Sequence, residues 1–309
     1  MHFIGFTESD FDAYLDRKWC SNVFNRERLQ VKQKLEALGH ILTPRLEGSD
    51  GEPLASEVSI EHPAVWNHRQ VSCQHLFFVR NRETQRELDG FISRSRSLAS
   101  LVSDPSPLHN HAYLGLRIDS HEIEVAFALH SDAAVDRENL ERRSADFFER
   151  EKLLASIRAL GPAFSIGITG HALVPCPELD DPGFLGLVKA LPAAKSWLKV
   201  HQTFAREEVI SEAEAFVDVA ATALVELLPA LHSLSWSRKN DKLQMRAALR
   251  KEAVKKKTGG LQKNDHVRII SGMLAGKTGI VQDVDAKGEV KVLIGTLAIK
   301  LKGDAVTRM

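Results

Sequence analysis

The feature that most constrains this chain is a glycine-punctuated, alternating stretch near its C-terminus, Asn264-Asp265-His266-Val267-Arg268-Ile269-Ile270-Ser271-Gly272-Met273-Leu274-Ala275-Gly276-Lys277-Thr278-Gly279-Ile280-Val281. Val267, Ile269, Ile280 and Val284 supply period-2 apolar positions, as a pleated strand with one buried face requires. Gly272, Gly276 and Gly279 fall where a tight reversal favours backbone without a Cβ. The pattern predicts two short strands joined by a glycine-bearing loop. Further strands are predicted at Val290 to Ile294 and Leu297 to Leu301, hinged at Gly295-Thr296.

These residues resemble the KOW motif: an Asp-x-Val-x-Ile strand from Asp265 to Ile269, then Ser271-Gly272, then Ala275-Gly276-Lys277-x-Gly279-x-Val281 running on to Val284-Asp285. The resemblance covers residues 261–309 alone. It implies a small SH3-like β-barrel of the kind found at the C-terminus of NusG-type transcription factors and in ribosomal proteins. It also implies a partner class (RNA, RNA polymerase or ribosomal proteins) and no reaction. Met273, Leu274 and Gly276 sit at the loop tip where NusG-like proteins carry contact residues, so they are candidate partner-binding positions. Met273 and Leu274 could instead close one end of the barrel.

Formal net charge is zero, but the distribution is lopsided. Residues 237–309 hold 17 Lys/Arg against 7 Asp/Glu, and residues 1–236 hold 24 against 34. An excess of this kind at one end is the footprint of polyanion binding, although an acidic body could equally mask it. Much of the excess lies in Arg238, Lys239, Lys242, Arg246, Arg250, Lys251, Lys255, Lys256 and Lys257, opposed by Asp241 and Glu252. Leu243, Ala247 and Met245, Leu249 recur at helical spacing, which predicts a basic linker helix ending at Thr258-Gly259-Gly260. With Arg268, Lys277 and Lys291 these cations are the candidate nucleic-acid contacts; a solvated linker is the plainer alternative. Residues 261–309 contain no Phe, Tyr or Trp, so this module has no ring on which to stack bases.

The preceding residues read as α+β: a mixed helix and antiparallel-sheet domain over 1–236, a basic helix and glycine linker over 237–260, and the KOW-like barrel over 261–309. Thr7-Glu8-Ser9-Asp10 approximates a capping box with Phe6 stapling against Phe11. A charged helix is expected from Asn25 to Leu38, stopped by Gly39, and residues 43–70 are expected to be irregular. A strand at Gln74 to Val79 precedes a helix from Arg82 to Val102. Ala112, Leu114, Leu116, Ile118 and Ile123, Val125, Phe127, Leu129 alternate around Asp119-Ser120-His121-Glu122, predicting a hairpin with one face on a core. Leu140, Phe147 and Leu154, seven apart, with Phe148 alongside, predict one long helix from Ala134 to Leu160. Strands are expected at Phe164 to Thr169 and Trp197 to Phe204. Ser211-Glu212-Ala213-Glu214 is expected to open a helix that Pro229 kinks or ends.

Chemistry is sparse. Cys20, Cys73 and Cys176 are odd in number and widely spaced, which suits a reducing cytoplasm and builds no local zinc site. No basic-then-apolar leader stands at the N-terminus, and no run reaches the roughly 18 apolar residues of a membrane span. His109-Asn110-His111 could present two ligands to a metal, but the spacing supplies no third donor; surface or capping roles are the plainer reading. Cys176 lacks an identifiable acid or oxyanion partner. Gly276-Lys277-Thr278 lacks the upstream glycine and following helix of a phosphate loop. No catalytic residue, metal or cofactor is therefore assigned. The expectation is a cytoplasmic, two-domain, non-enzymatic accessory factor of transcription or translation. It would bind RNA, RNA polymerase or the ribosome through the basic helix and barrel. The alternative is a nucleic-acid-processing enzyme with its active site in the first domain.

Overall fold

The structure is a computed structural model that describes all residues except 1, 47–52, 65–66, 87, 89–106, 245–257 and 286–287. It divides into two compact units, Met1–Leu243 and Gln244–Met309.

In the first unit, strands β1 (Leu54–Val58), β2 (Gln74–Arg80), β3 (Tyr113–Ile118), β4 (Glu122–His130), β5 (Ser165–Ile168), β6 (Val174–Pro175) and β7 (Trp197–Ala205) form one sheet. Their order is β1-β2-β3-β4-β7-β5-β6, and every pairing is antiparallel. Its helices include α1 (Glu8–Asp12), α2 (Asn25–Leu46), α3 (Ala134–Ala145), α4 (Phe147–Arg158), α5 (Asp181–Ala194), α6 (Arg206–Glu212) and α7 (Phe216–Leu234). Leu114, Leu116 and Ile118 of β3, with Ile123, Val125, Phe127 and Leu129 of β4, point to one face. There they are buried with Leu35, Leu38 and Leu42 of α2 and Leu224, Leu227 and Leu231 of α7. The run from Arg206 to Leu234 is long and apolar enough to cross a membrane, but Ala213 interrupts it at φ +50° and α7 is a core helix of this unit.

Several local expectations hold. Thr7 caps α1: its N–H donates to Asp10 Oδ2 at 2.7 Å and its hydroxyl to the same atom at 2.8 Å. Phe6 and Phe11 meet edge-on at 6.4 Å. The hairpin β3–β4 pairs in the expected register, Leu116 opposite Val125. Others are corrected. Gly39 does not end α2, which runs through Gly39 and Pro44 to Leu46. A Cβ there would come within 2.9 Å of Leu76 Cδ1 and 3.2 Å of Ser56, so this glycine lets the helix lie close on β1 and β2. The stretch expected to be irregular contains β1, whose residues 54–58 are half-buried without clean alternation. Ser211 opens no helix; it lies inside α6 and bonds back to the Glu208 carbonyl. Pro229 does not end α7. The single long helix from 134 to 160 is two, because Asp146 adopts extended backbone (ψ 125°) and its carboxylate accepts the Glu149 N–H at 3.0 Å, capping α4. Leu140 and Leu154 are buried as expected, whereas Phe147 and Phe148 point to solvent. Of the helix expected from Arg82, residues 82–86 are helical and 89–102 lie outside the described residues.

The second unit contains β8 (His266–Ile269), β9 (Thr278–Val284), β10 (Glu289–Ile294), β11 (Leu297–Lys302) and β12 (Val306–Arg308). They form an antiparallel sheet in the order β11-β10-β9-β8-β12, with a small core of Leu261, Val267, Ile269, Val281, Val290, Val292 and Val306. The expected barrel is not closed: the chain passes from one outer strand to the other through a short turn at Gly303–Ala305, and no ladder joins β11 to β12. Register also differs by one position. Val281 is fully buried while Ile280 is 39% exposed, because an extra residue in β9, Gln282, bulges opposite the Lys291–Val292 step of β10 and places Val281 and Val284 opposite Val292 and Val290.

Candidate nucleic-acid interface

The β8–β9 loop is built by two left-handed glycines, Gly272 (φ +87°) and Gly276 (φ +88°). The Gly276 N–H donates to the Ile269 carbonyl at 2.8 Å and the Ile269 N–H to the Lys277 carbonyl at 2.9 Å, so the loop base is closed by backbone bonds. The two apolar tip residues separate. Leu274 packs against the small core, whereas Met273 is wholly exposed. Gly279, expected at a turn, instead lies within β9. A Cβ there would sit 2.6 Å from the Leu293 carbonyl oxygen, so its role is close strand approach.

The candidate cations of this unit do not converge. Arg268 is exposed on β8 opposite Thr278, next to Lys277 at the loop end of the sheet. Lys291 is exposed two strands away, between Asp283 on β9 and Lys300 on β11. Lys300 in turn stands 3.9 Å from both Asp285 and Glu289. The outer face thus alternates charge, with Arg268 and Lys277 forming its cationic end.

The basic helix does not begin where expected. Residues 238–244 are turns and bends held on α3. Lys242 N–H donates to Asn139 Oδ1 at 2.9 Å, its carbonyl accepts from Arg142 Nη1 at 3.2 Å, and Asn139 Nδ2 donates to Asn240 Oδ1 at 3.1 Å. Trp236, 1% exposed, donates its indole N–H to Asp241 at 3.0 Å. Side-chain capping by Asn and Asp at this density outcompetes helix nucleation over these residues. Arg238 and Lys239 are exposed and border a cavity of about 570 Å3 walled by Leu54, Leu231 and Trp236. Arg246, Arg250, Lys251, Lys255, Lys256 and Lys257 lie outside the described residues.

Sequence reasoning missed the polar face of the first sheet. Period-2 alternation in β3, β4 and β7 puts Arg117, Glu124, Lys199 and His201 there, with His75 of β2 opposite Arg117. Glu124 is the hub: Lys199 Nζ lies at 2.6 Å, His201 Nδ1 at 3.5 Å and Arg117 Nε at 3.6 Å. Burial pushes the Glu124 carboxyl up, but the charge and hydrogen bond of Lys199, with Arg117, outweigh this and hold it below the usual range. Burial, reinforced by Arg117 and Lys199, drives His75 down to about 3, and burial also lowers His201 against the pull of Glu124. Both imidazoles are therefore neutral at pH 7, so these histidines add no positive charge. The signal was available in the polar residues filling alternate positions of the hairpin.

His109 and His111 do not share a site. His111 is buried and its ring acts on the Asp136 carboxylate, while His109 stacks on His130 with centroids 4.2 Å apart. Donor atoms of His109, His130 and Asp132 all lie within 4.8 Å of one another, a grouping invisible to local spacing. The two rings are only 20° from parallel, so their in-plane lone pairs run side by side; one ring would have to turn before both could ligate a single ion. Cys176 is buried, and burial alone pushes its thiol up to about 12, opposite to what a nucleophile needs.

Residues 263–294 match the KOW motif. The match spans β8, the glycine loop, β9 and β10, and so includes Met273, Gly276, Arg268, Lys277 and Lys291. No curated protein matches the chain. The KOW match points to an RNA- or ribosome-associated protein, and it leaves residues 1–262 without an assigned family.

Proposed function

We propose that this chain is a non-enzymatic accessory factor of transcription or translation that works in the cytoplasm and docks on RNA, RNA polymerase or the ribosome through its KOW unit. The observation that carries this reading is the KOW loop itself: Gly272 and Gly276 hold Met273 fully exposed at its tip beside the cationic pair Arg268 and Lys277. Met273 offers an apolar contact to a protein surface; Arg268 and Lys277 offer charge to phosphate. The first unit, which holds Lys242 through Asn139 and Arg142, supplies a second recognition surface.

The test is affinity purification of the full chain at graded salt, with and without ribonuclease, comparing wild type with Met273→Asp and with Arg268→Gln/Lys277→Gln. Wild type should co-isolate with RNA, polymerase or ribosomal particles, and the cation variant should flatten the salt dependence, because each phosphate contact adds roughly 0.7–0.9 to the log–log slope. Absence of any such association at low salt sinks the reading. A second reading, a nucleic-acid-processing enzyme, is favoured only by the convergence of His109, His130 and Asp132. Stoichiometric uptake of zinc or manganese together with divalent-dependent cleavage of RNA or DNA would establish it in place of the first.

A further inference from the structure

The break at Asp146 places Phe147 and Phe148 at the first two positions of α4, 58% and 76% exposed. They are the only exposed Phe, Tyr or Trp side chains among the described residues. Their rings meet edge-on at 5.6 Å and 79°, so their faces point in different directions. The Arg150 guanidinium lies over the Phe147 ring at 5.5 Å from its centroid, leaving Phe148 the more open of the two.

Cations also lie near the start of α4. Arg142, exposed at the end of α3, donates to the carbonyl of Lys242, itself exposed. Lys152 stands one turn beyond Phe148 and is 72% exposed. The charges of Lys242 and Lys152 both act on the Asp146 carboxylate, which directly precedes Phe147. Of the nearby acids, Asp146 caps α4, Glu149 pairs with Arg143 at 3.0 Å and with Lys152 at 3.4 Å, and Asp181 pairs with Arg150 at 2.5 Å, while Glu151 is exposed one turn past Phe147. Among the described residues Arg142 and Lys242 make no ion pair within 4.0 Å, although Lys242 acts on Asp146 from farther off. The cations Arg142, Lys152 and Lys242 beside two open rings match a chain that carries phosphates along its backbone and flat faces on its bases.

We propose that Phe147 and Phe148, flanked by Arg142, Lys152 and Lys242, form a stacking platform for unpaired bases of single-stranded RNA. The inference rests on the RNA-associated reading above and supplies what the KOW unit lacks, since residues 261–309 contain no aromatic ring. Bases that stack on Phe148 must be free of a duplex, so the site selects single strands. Its sequence preference is weak, because every base presents a π-face.

The test uses the full chain and two fluorescein-labelled probes, an oligouridylate and an RNA duplex of equal length. The variants are Phe147→Ala/Phe148→Ala, Phe147→Leu/Phe148→Leu and Arg142→Gln/Lys242→Gln. Both phenylalanines are exposed, so circular dichroism should show an unchanged fold. The alanine pair should weaken oligouridylate binding about tenfold or more while leaving duplex binding unchanged. The leucine pair should lose nearly as much, since it keeps apolar area but not the ring. The glutamine pair should lower the salt slope for both probes. Unchanged oligouridylate affinity in the alanine pair, or full retention by the leucine pair, overturns the platform. So does loss of a captured protein with RNA binding intact, which would make the patch a protein-docking site. Failure of wild type to bind either probe would refute the RNA reading itself, a result distinct from variants that merely match wild type.

Discussion

Asp136→Asn is the substitution whose cost can be worked most directly from the structure. The Asp136 carboxylate is wholly buried in the first turn of α3 and accepts Arg80 Nη1 at 2.9 Å, Arg80 Nη2 at 2.5 Å, the Ala112 N–H at 2.8 Å and the Trp236 N–H at 2.7 Å. Arg80 Nη2 also donates to the Trp236 carbonyl at 2.7 Å. One carboxylate therefore joins β2, the start of β3, α3 and the chain leaving α7. Asparagine keeps the shape but removes the countercharge of a guanidinium that is 6% exposed, and turns one acceptor into a donor facing other donors. Breaking a buried pair from one side costs about 3–5 kcal/mol, a large share of the roughly 5–15 kcal/mol that holds a domain folded. Urea unfolding followed by tryptophan fluorescence measures this cleanly, because all four tryptophans (Trp19, Trp66, Trp197 and Trp236) belong to the first unit. The loss should also depend on pH. Burial raises the Asp136 carboxyl, but Arg80 and the Ala112 N–H outweigh it and hold it low in the folded state. Its stabilisation is then complete above the ordinary aspartate value near 3.9 and is lost as pH falls from there through the folded value. The gap between wild type and D136N should accordingly narrow in acid. A loss below about 1 kcal/mol at pH 7, or a gap that stays constant into acid, would refute the argument.

Gly279→Ala should destabilise the second unit by about 1–3 kcal/mol and weaken partner capture, since its Cβ would lie 2.6 Å from the Leu293 carbonyl oxygen; loss of amide dispersion in NMR spectra reads it. His75, driven down to about 3, should show no imidazole titration from about pH 5 to about 8, and a midpoint near 6.5 would mean the polar sheet face is open to water. Because the unfolded state takes up that proton first, His75 should make stability rise with pH between its folded value of about 3 and the free histidine value near 6.5. Met273→Asp should leave the unfolding midpoint of the second unit within about 0.5 kcal/mol of wild type while reducing co-isolation with a protein partner.

What the sequence made legible was pattern confined to neighbours. The hairpin of β3 and β4 showed itself because Leu114, Leu116, Val125 and Phe127 alternate without interruption, and the KOW loop because Gly272 and Gly276 mark unusual backbone. The errors came where a distant contact decides. Gly39 reads as a helix stop until Leu76 and Ser56 are seen against it. The seven-residue recurrence of Leu140, Phe147 and Leu154 is an accident of two helices meeting at Asp146, whose side chain prefers capping to propagation. Ile280 and Val281 exchange faces because β9 bulges at Gln282, a residue with no partner on β10. The candidate sites divide the same way: Met273 was visible at its loop tip, whereas the Glu124 hub draws on three strands and His109 meets His130 and Asp132 only after folding. The start of the basic run, residues 238–244, was legible as charge but not as shape, since Asn139 holds Asn240 and Lys242.

Strand β7 enters the first sheet between β4 and β5, although β5 precedes it in the chain. Along its whole length, from Glu122–Ala205 to His130–Trp197, β4 shows an unsatisfied edge until Trp197–Ala205 arrives. On the ribosome this means that the left half of the sheet matures first and then waits, with a long sticky border, for a late strand to slot in. Closure over so large a sequence separation is slow compared with hairpin formation. Nascent chains should therefore be most prone to clumping, and most dependent on chaperones, in the interval after β4 has emerged and before residue 205 has cleared the exit tunnel.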